Sequence, residues 1–378
     1  MKNNDLLILL NGERPNKIPY VRMGFANERA LQKLLPKDFF DENTYYIPPK
    51  KFSSKPRTDE SRKKAIKFGQ EMDLSCLGVG KGGLVPFGHG GPGEVIQKVI
   101  EKGKDYKIVE LEGGSLRKIQ FNPYSVFIGY RMPINKKSDL DSLILPNLED
   151  PIRFQDIKRD VKYFNDNGFL ASGSIQGFFS GIHNNFYSYE SFLTDLALDE
   201  NFSRKITKIL GDFNLRAAEK LLERGVQIIE ICDDFGSELG PLISPEMYKK
   251  YFFSWYKKLC ELCHDRGAFV HFHSHGKIEK LIPYFIKAGI DIINPLDPNE
   301  GNDLEELIKM FGDKIIFCGG IPGTSYLYPL DKLEERIKYV CQVGRKSKKG
   351  YIIMDGGYYE EMSVKSFNKY QELFQKYR

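Results

Sequence analysis

The chain has 378 residues, of which 41% are hydrophobic and which include 27 Phe and 21 Tyr, ample for the core of one α/β barrel with insertions. Its 56 basic and 51 acidic residues leave a formal charge of +5. That balance, with no basic block interleaved with aromatics, argues against a nucleic-acid partner. The apolar run Leu6 to Leu10 is too short for a signal peptide or a membrane span, and no later run reaches either length. The expectation is a soluble cytoplasmic protein without a membrane partner. The six cysteines are scattered, which fits a reducing compartment, and Cys260-x-x-Cys263 lies inside a helical pattern without a second pair, so it reads as structural.

Residues 1–72 are polar and rich in Lys and Pro, with helical stretches at Glu28 to Leu35 and Ser61 to Met72; they read as an N-terminal extension packed on one domain spanning 1–378. Asp73 to Val79 is a strand candidate. The glycine-dense stretch that follows, to Gly93, lacks a phosphate-loop pattern and reads as a loop that lines a pocket or simply connects. Residues 105–135 hold three β-rich segments, 106–111, 116–121 and 125–130, and read as a small antiparallel insertion, with Gly113-Gly114 as a tight turn. From Asp150 the rhythm becomes helix and strand in alternation. Helices are expected at 152–167, 189–198, 202–224, 245–266, 278–288, 304–311, 330–343 and 363–377. Strands are expected at 169–175, 226–231, 268–273, 290–293, 314–318 and 351–354. Repeated βα units imply a parallel sheet with helical crossovers. With 73–79 they make seven barrel strands, one short of eight, and no dinucleotide-binding fingerprint favours an open sheet.

The segment Ala268-Phe-Val-His-Phe-His-Ser-His-Gly276 holds half of the six histidines. In a strand, Phe269, His271 and His273 share a face, and His275 continues it into the loop. Three imidazoles at the carboxyl end of a buried strand suggest a metal or proton-transfer site. In a barrel, active sites lie at the carboxyl ends of the strands. Those ends carry Glu230, Cys232, Asp233 and Asp234, then His273 and His275, Asp297, Cys318 and Asp355. Asp233 and Asp234 precede a glycine, so a loop-shaping role is open for each. His183 and Tyr187, in the 176–190 loop, are further candidates for substrate contact.

At these residues the chain resembles the uroporphyrinogen decarboxylase (URO-D) superfamily, which also contains cobalamin-dependent methyltransferases. The resemblance rests on Asp233-Asp-Phe-Gly236, Leu242-Ile-Ser-Pro-Glu246, His273-Ser-His-Gly276, the run Leu281 to Leu296, Phe311 to Ile321, Tyr351 to Gly357 and the opening Asn11 to Pro19. It implies a (β/α)8 TIM barrel, with a dimer as the family expectation. The decarboxylases hold substrate carboxylates with an arginine-rich N-terminal motif, of which Tyr20-Val-Arg22-Met-Gly24 keeps one arginine. The methyltransferases bind zinc through His-x-Cys and a later Cys. Here His273 matches the histidine, His275 stands in place of the first cysteine, and no cysteine lies near Asp355. The resemblance therefore implies a zinc site of His273 and His275 with a carboxylate, Asp355, Glu230 or Asp233, and Cys318 as a less favoured soft ligand. The implied reaction is methyl transfer from a small methylated substrate to a corrinoid on a partner protein. Asp233, Asp234, His275 and Arg22 are the candidate catalytic residues. Decarboxylation of a tetrapyrrole or another polyacid is the alternative, and a non-catalytic ligand-binding barrel is the third reading.

Overall fold

The computed structural model describes residues 4–25, 28–36, 39, 57–79, 96–111, 113–120 and 126–378. Eight parallel strands form a nearly closed α/β barrel, in the order β1 (Tyr20–Val21), β14 (Tyr351–Met354), β13 (Ile316–Cys318), β12 (Ile292–Asn294), β11 (Phe269–His273), β8 (Ile228–Cys232), β7 (Leu170–Gln176) and β2 (Cys76–Gly78). The ring is completed between its two ends by Ser75, whose amide donates to the Tyr20 carbonyl at 2.9 Å and whose Oγ accepts from the Tyr20 amide at 3.2 Å. The eighth strand, absent from the sequence pattern, is thus β1. It has two residues and pairs with Ile353 and Met354, too short to show a period of its own.

Side-chain parity divides the core. Val270, Phe272, Ile229, Ile231, Ile293, Phe317 and Ile353 face outward into a large cluster with the helices. Leu170, Ile228, Phe269, Ile292, Ile316 and Ile352 face the barrel axis and form a second cluster with Leu6, Leu9 and Leu10 of α1 (Asp5–Leu10). These inward residues lie at or next to the strands' first positions, so α1 stoppers the amino end of the barrel. Asn4 caps α1 and also donates to the carbonyls of Ser75 (2.8 Å) and Gly168 (2.9 Å), which fixes the stopper against two strands. Above this apolar layer the inward positions turn polar: Ser174, Glu230 and His271, then Gln176, Cys232, His273 and Asn294. The sequence's assignment of His271 and His273 to one face holds, and that face is the barrel interior.

The antiparallel sheet has four strands: β3 (Ile96–Lys102), β4 (Tyr106–Leu111), β5 (Leu116–Gln120) and β6 (Val126–Arg131). Strand β3 was not expected. Register shifts at Ile96/Lys98 and Val99/Glu101 break its alternation, so period two is lost from the sequence. The helix expected over 245–266 is two, α8 (Pro245–Tyr251) and α9 (Phe253–His264). The N-terminal α3 (Asp59–Glu71) packs on α4 (Ile157–Asp166) through a buried charge cluster. Asp160 accepts from Arg62 Nε at 2.7 Å and Arg57 Nη1 at 3.3 Å. The glycine-dense stretch beyond Val79 lies outside the described residues. No described helix is long and apolar enough to cross a membrane.

Candidate active site at the barrel mouth

Strand β11 delivers His273 to the carboxyl rim, and the loop after it carries His275. Their ring centroids are 4.8 Å apart and nearly perpendicular, at 84°. The neighbouring loop after β8 supplies Asp234. Its Oδ1 accepts the His275 amide at 2.8 Å and lies 3.9 Å from His273 Nε2. The two loops cross at Gly236 and Gly276, where neither residue has room for a side chain: a Cβ on Gly276 would meet the Gly236 carbonyl carbon at 2.2 Å. Gly276 also has φ +82°, a left-handed conformation that favours glycine. The glycines flanking both acid and imidazole motifs therefore serve this crossing.

A residue that the sequence did not single out completes the pair. Glu300, in the loop after β12, accepts from His275 Nδ1 at 2.7 Å and from the Gly276 amide at 2.8 Å. Burial pushes the His275 pKa down, but the Glu300 hydrogen bond and the charges of Asp234, Glu300 and Asp297 outweigh it, so the net shift is upward. Glu300 is shifted down: burial raises its pKa, but the bond to His275, that residue's charge and the Gly276 amide together outweigh burial. The two shifts describe an imidazolium–carboxylate pair in which each partner favours the charged form of the other. His273 behaves oppositely. Burial, then the neighbouring His275, lowers its pKa to about 4, so it is neutral at pH 7. The mouth thus holds a proton donor and a proton acceptor side by side.

The other expected residues take different positions. Asp233 is fully buried behind the rim. It accepts from the amides of Phe179 (3.0 Å) and Ser180 (2.5 Å) and from the Tyr256 hydroxyl. Burial raises its pKa to about 6 against those bonds. Asp233→Ala leaves three buried donors unmatched, and a loss of about 3 kcal/mol or more in unfolding free energy is expected by chemical denaturation; a loss below about 1 kcal/mol would contradict this anchoring role. Glu230 lies deeper in the barrel and accepts from Ser174 Oγ at 2.9 Å. His271, opposite it in register, is buried, and its Nε2 has no hydrogen-bond partner among the described residues. Asp355 turns away from the histidines. It accepts from the Tyr20 hydroxyl (2.7 Å) and the amides of Met23 (3.0 Å) and Gly357 (2.9 Å). Arg22 stands near Asp355, stacked on Phe68 at 5.1 Å, and makes no hydrogen bond to a described residue. Cys318 is fully buried, and burial holds its thiol well above its usual pKa.

The geometry also tests the zinc set. Among the described residues no three His, Cys, Asp or Glu side chains are grouped to hold a metal ion. Asp355 and Glu230 are engaged elsewhere, and the Cys318 thiol is held protonated. His273, His275, Asp355 and Glu230 do not fit a zinc ion in this arrangement.

An α/β barrel with ionisable groups gathered on the carboxyl rim is the architecture of barrel enzymes. Residues 184–366, just under half of the chain, match the model of the uroporphyrinogen decarboxylase (URO-D) family. No curated protein matches the chain significantly. Among solved structures, a methyltransferase from Methanosarcina mazei is similar over 99% of this chain and 98% of its own, with TM-score 0.64 and 14% identity. A D-psicose 3-epimerase from Clostridium cellulolyticum H10, solved with D-tagatose, aligns over 60% of this chain and 85% of its own, with TM-score 0.38 and 12% identity. The first shares the fold; the second is too distant to inform the site.

Proposed function

We propose that the chain is a methyltransferase that removes a methyl group from a small methylated substrate and delivers it to a corrinoid carried by a partner protein. The observation that carries this reading is the His275–Glu300 pair beside neutral His273. When a methyl group leaves an oxygen or nitrogen as CH3+ toward a nucleophilic acceptor, the electron pair of the broken bond stays on the heteroatom, which then needs a proton. His275 binds Glu300 through Nδ1, so Nε2 is the nitrogen that can give that proton. His273, neutral, accepts a hydrogen bond and orients the substrate. The Methanosarcina mazei protein with the same fold is a methyltransferase, which supports methyl transfer as the reaction here. No step here runs through zinc.

The test incubates the untagged protein with reduced free cobalamin and a panel of O- and N-methylated compounds, following methylcobalamin by its absorbance. Methylcobalamin formation that is lost in His275→Ala is the expected result. A protein that forms none, yet converts uroporphyrinogen to less carboxylated porphyrinogens, would instead support decarboxylation, the reading favoured by the Arg22 guanidinium, which makes no hydrogen bond to a described residue. Elemental analysis of the same preparation checks the metal: about one zinc per chain, lost in His273→Ala, would overturn the metal-free assignment.

A further inference from the structure

Between the histidine pair at the rim and the apolar layer at the amino end, the barrel interior holds a polar layer. Glu230 of β8 and His271 of β11 are neighbours in register, and Asn294 of β12 stands beside His273. Strand parity turns all of them inward. The Glu230 charge reaches the thiols of Cys76 on β2 and Cys318 on β13 as well as His271, so its carboxylate lies toward the barrel axis. Cys76, Glu230, Cys232 and His273 are only half-buried, so this interior is open to the rim. Beneath it Ile228, Phe269 and Ile292, two residues earlier on the same strands, close the floor.

The acceptors of this layer are short of donors. Glu230 accepts from Ser174 Oγ at 2.9 Å, and no cationic side chain pairs with it among the described residues. Arg22 follows β1, three strands around the ring, and stands beside Asp355 instead. His271 is 8% exposed, and its Nε2 meets no hydrogen-bond partner among the described residues. Burial holds its pKa below the ordinary value against the pull of Glu230, so the ring is neutral at pH 7 and has one acceptor nitrogen. Asn294 is 6% exposed, and its Nδ2 donates to Met354 Sδ at 3.2 Å. It lies near His273, but its Oδ1 is short of hydrogen-bond geometry with any described residue. Buried polar atoms left unpaired are costly, and these two flank a carboxylate. A ligand that satisfies them brings donors and positive charge. A protonated primary amine has three N–H donors on one cationic centre, whereas a hydroxyl has one and a carboxylate none.

We propose that the barrel interior beneath the histidine pair is a receptor for a protonated primary amine, held by Glu230 and His271 with Asn294 above them as a further acceptor. Successive inward residues of a strand are about 6.6 Å apart, so an ammonium at the level of His271 puts an ether oxygen three carbons away near the level of His273. The substrate class is then an amine that also carries a methyl ether. That orientation rests on the methyl-transfer reading; the ammonium site does not. In the reaction the CH3–O bond breaks, the oxygen keeps the electron pair and takes the His275 proton, the methyl goes to the corrinoid, and the ammonium is unchanged.

The full chain is titrated with 3-methoxypropylamine and with 3-methoxypropan-1-ol, its neutral isostere, by ligand-observed NMR at pH 7. The amine is expected to bind at least about tenfold more tightly than the alcohol. That preference is expected to vanish in Glu230→Gln and to shrink in His271→Phe, and the wild-type comparison stands whether or not either variant folds. Equal binding of the two probes, binding of neither, or a preference that survives in a folded Glu230→Gln variant would overturn the ammonium site. So would a preference lost in Asp234→Asn alone, which would put the amine on the rim. A preference for the amine with no methylcobalamin formed from either probe would retire the reaction and retain the ammonium site. Methylcobalamin formed equally from both probes, and unchanged in Glu230→Gln, would do the reverse.

Discussion

His275→Ala is expected to lower kcat for methyl transfer by about 10²–10⁴-fold at pH 7, the usual contribution of a positioned general acid. Glu300→Gln is the more informative variant, because it keeps the imidazole and removes only its partner. In the wild type Glu300 holds the His275 pKa above its ordinary value. The protonated form, and the stability its ion pair contributes, is fully present below the unfolded value near pH 6.5. Both are lost as pH rises through the raised native value. The rate should therefore hold through pH 6.5 and fall on the alkaline side, and in Glu300→Gln that fall should move to lower pH. The histidine ring-proton NMR titration should move the same way. An alkaline limb that stays in place in Glu300→Gln would show that His275 is not the acid. His273 offers an internal contrast, since its pKa of about 4 keeps it neutral over the whole range.

The second large effect concerns stability. Asp160 is fully buried and faces two guanidiniums, of which Arg62 is itself fully buried. Arg62 also donates to the Arg57 carbonyl at 2.7 Å and pairs with Asp59 and Asp156. Asp160→Ala removes the fully buried carboxylate that bridges both arginines, leaving Arg62 with Asp59 and Asp156, and breaking a buried pair from one side costs about 3–5 kcal/mol. Chemical denaturation should show a loss of that size. A loss below about 1 kcal/mol would mean that water enters the cluster once the carboxylate is gone. Because the cluster joins α3 to α4, limited proteolysis of the variant should cut first near residue 57, ahead of α3.

The sequence made some of this arrangement readable, and the reasons are specific. The alternation in Phe269-Val-His-Phe-His273 is a property of any strand, so the shared face of His271 and His273 follows from it, and the barrel places that face inward. The seven longer strands announced themselves by apolar runs between glycines. Strand β1 did not, since two residues carry no period, and β3 did not, since its bulges erase one. At the site, Glu300 escaped because its bond to His275 spans two βα loops, and only its nearness to Asp297 on the same rim marked it. Asp355, Glu230 and Asp233 were visible as acids at strand ends, but a strand end does not say which way a carboxylate turns. Tyr20 holds Asp355, Ser174 holds Glu230, and the start of α5 (Ser180–Asn185) with Tyr256 holds Asp233. Those partners lie 335, 56 and up to 54 residues away, beyond any local pattern.

The leucine stopper at the amino end of the barrel bears on traffic. With Leu6, Leu9 and Leu10 filling that end, whatever reaches His273 and His275 enters by the carboxyl rim and leaves by it. On the proposed reaction, methyl donor, demethylated product and methyl acceptor would share that one doorway. In steady-state kinetics the demethylated product should compete with the methylated substrate for the free protein, and a bulky acceptor docked over the rim should slow the release of both.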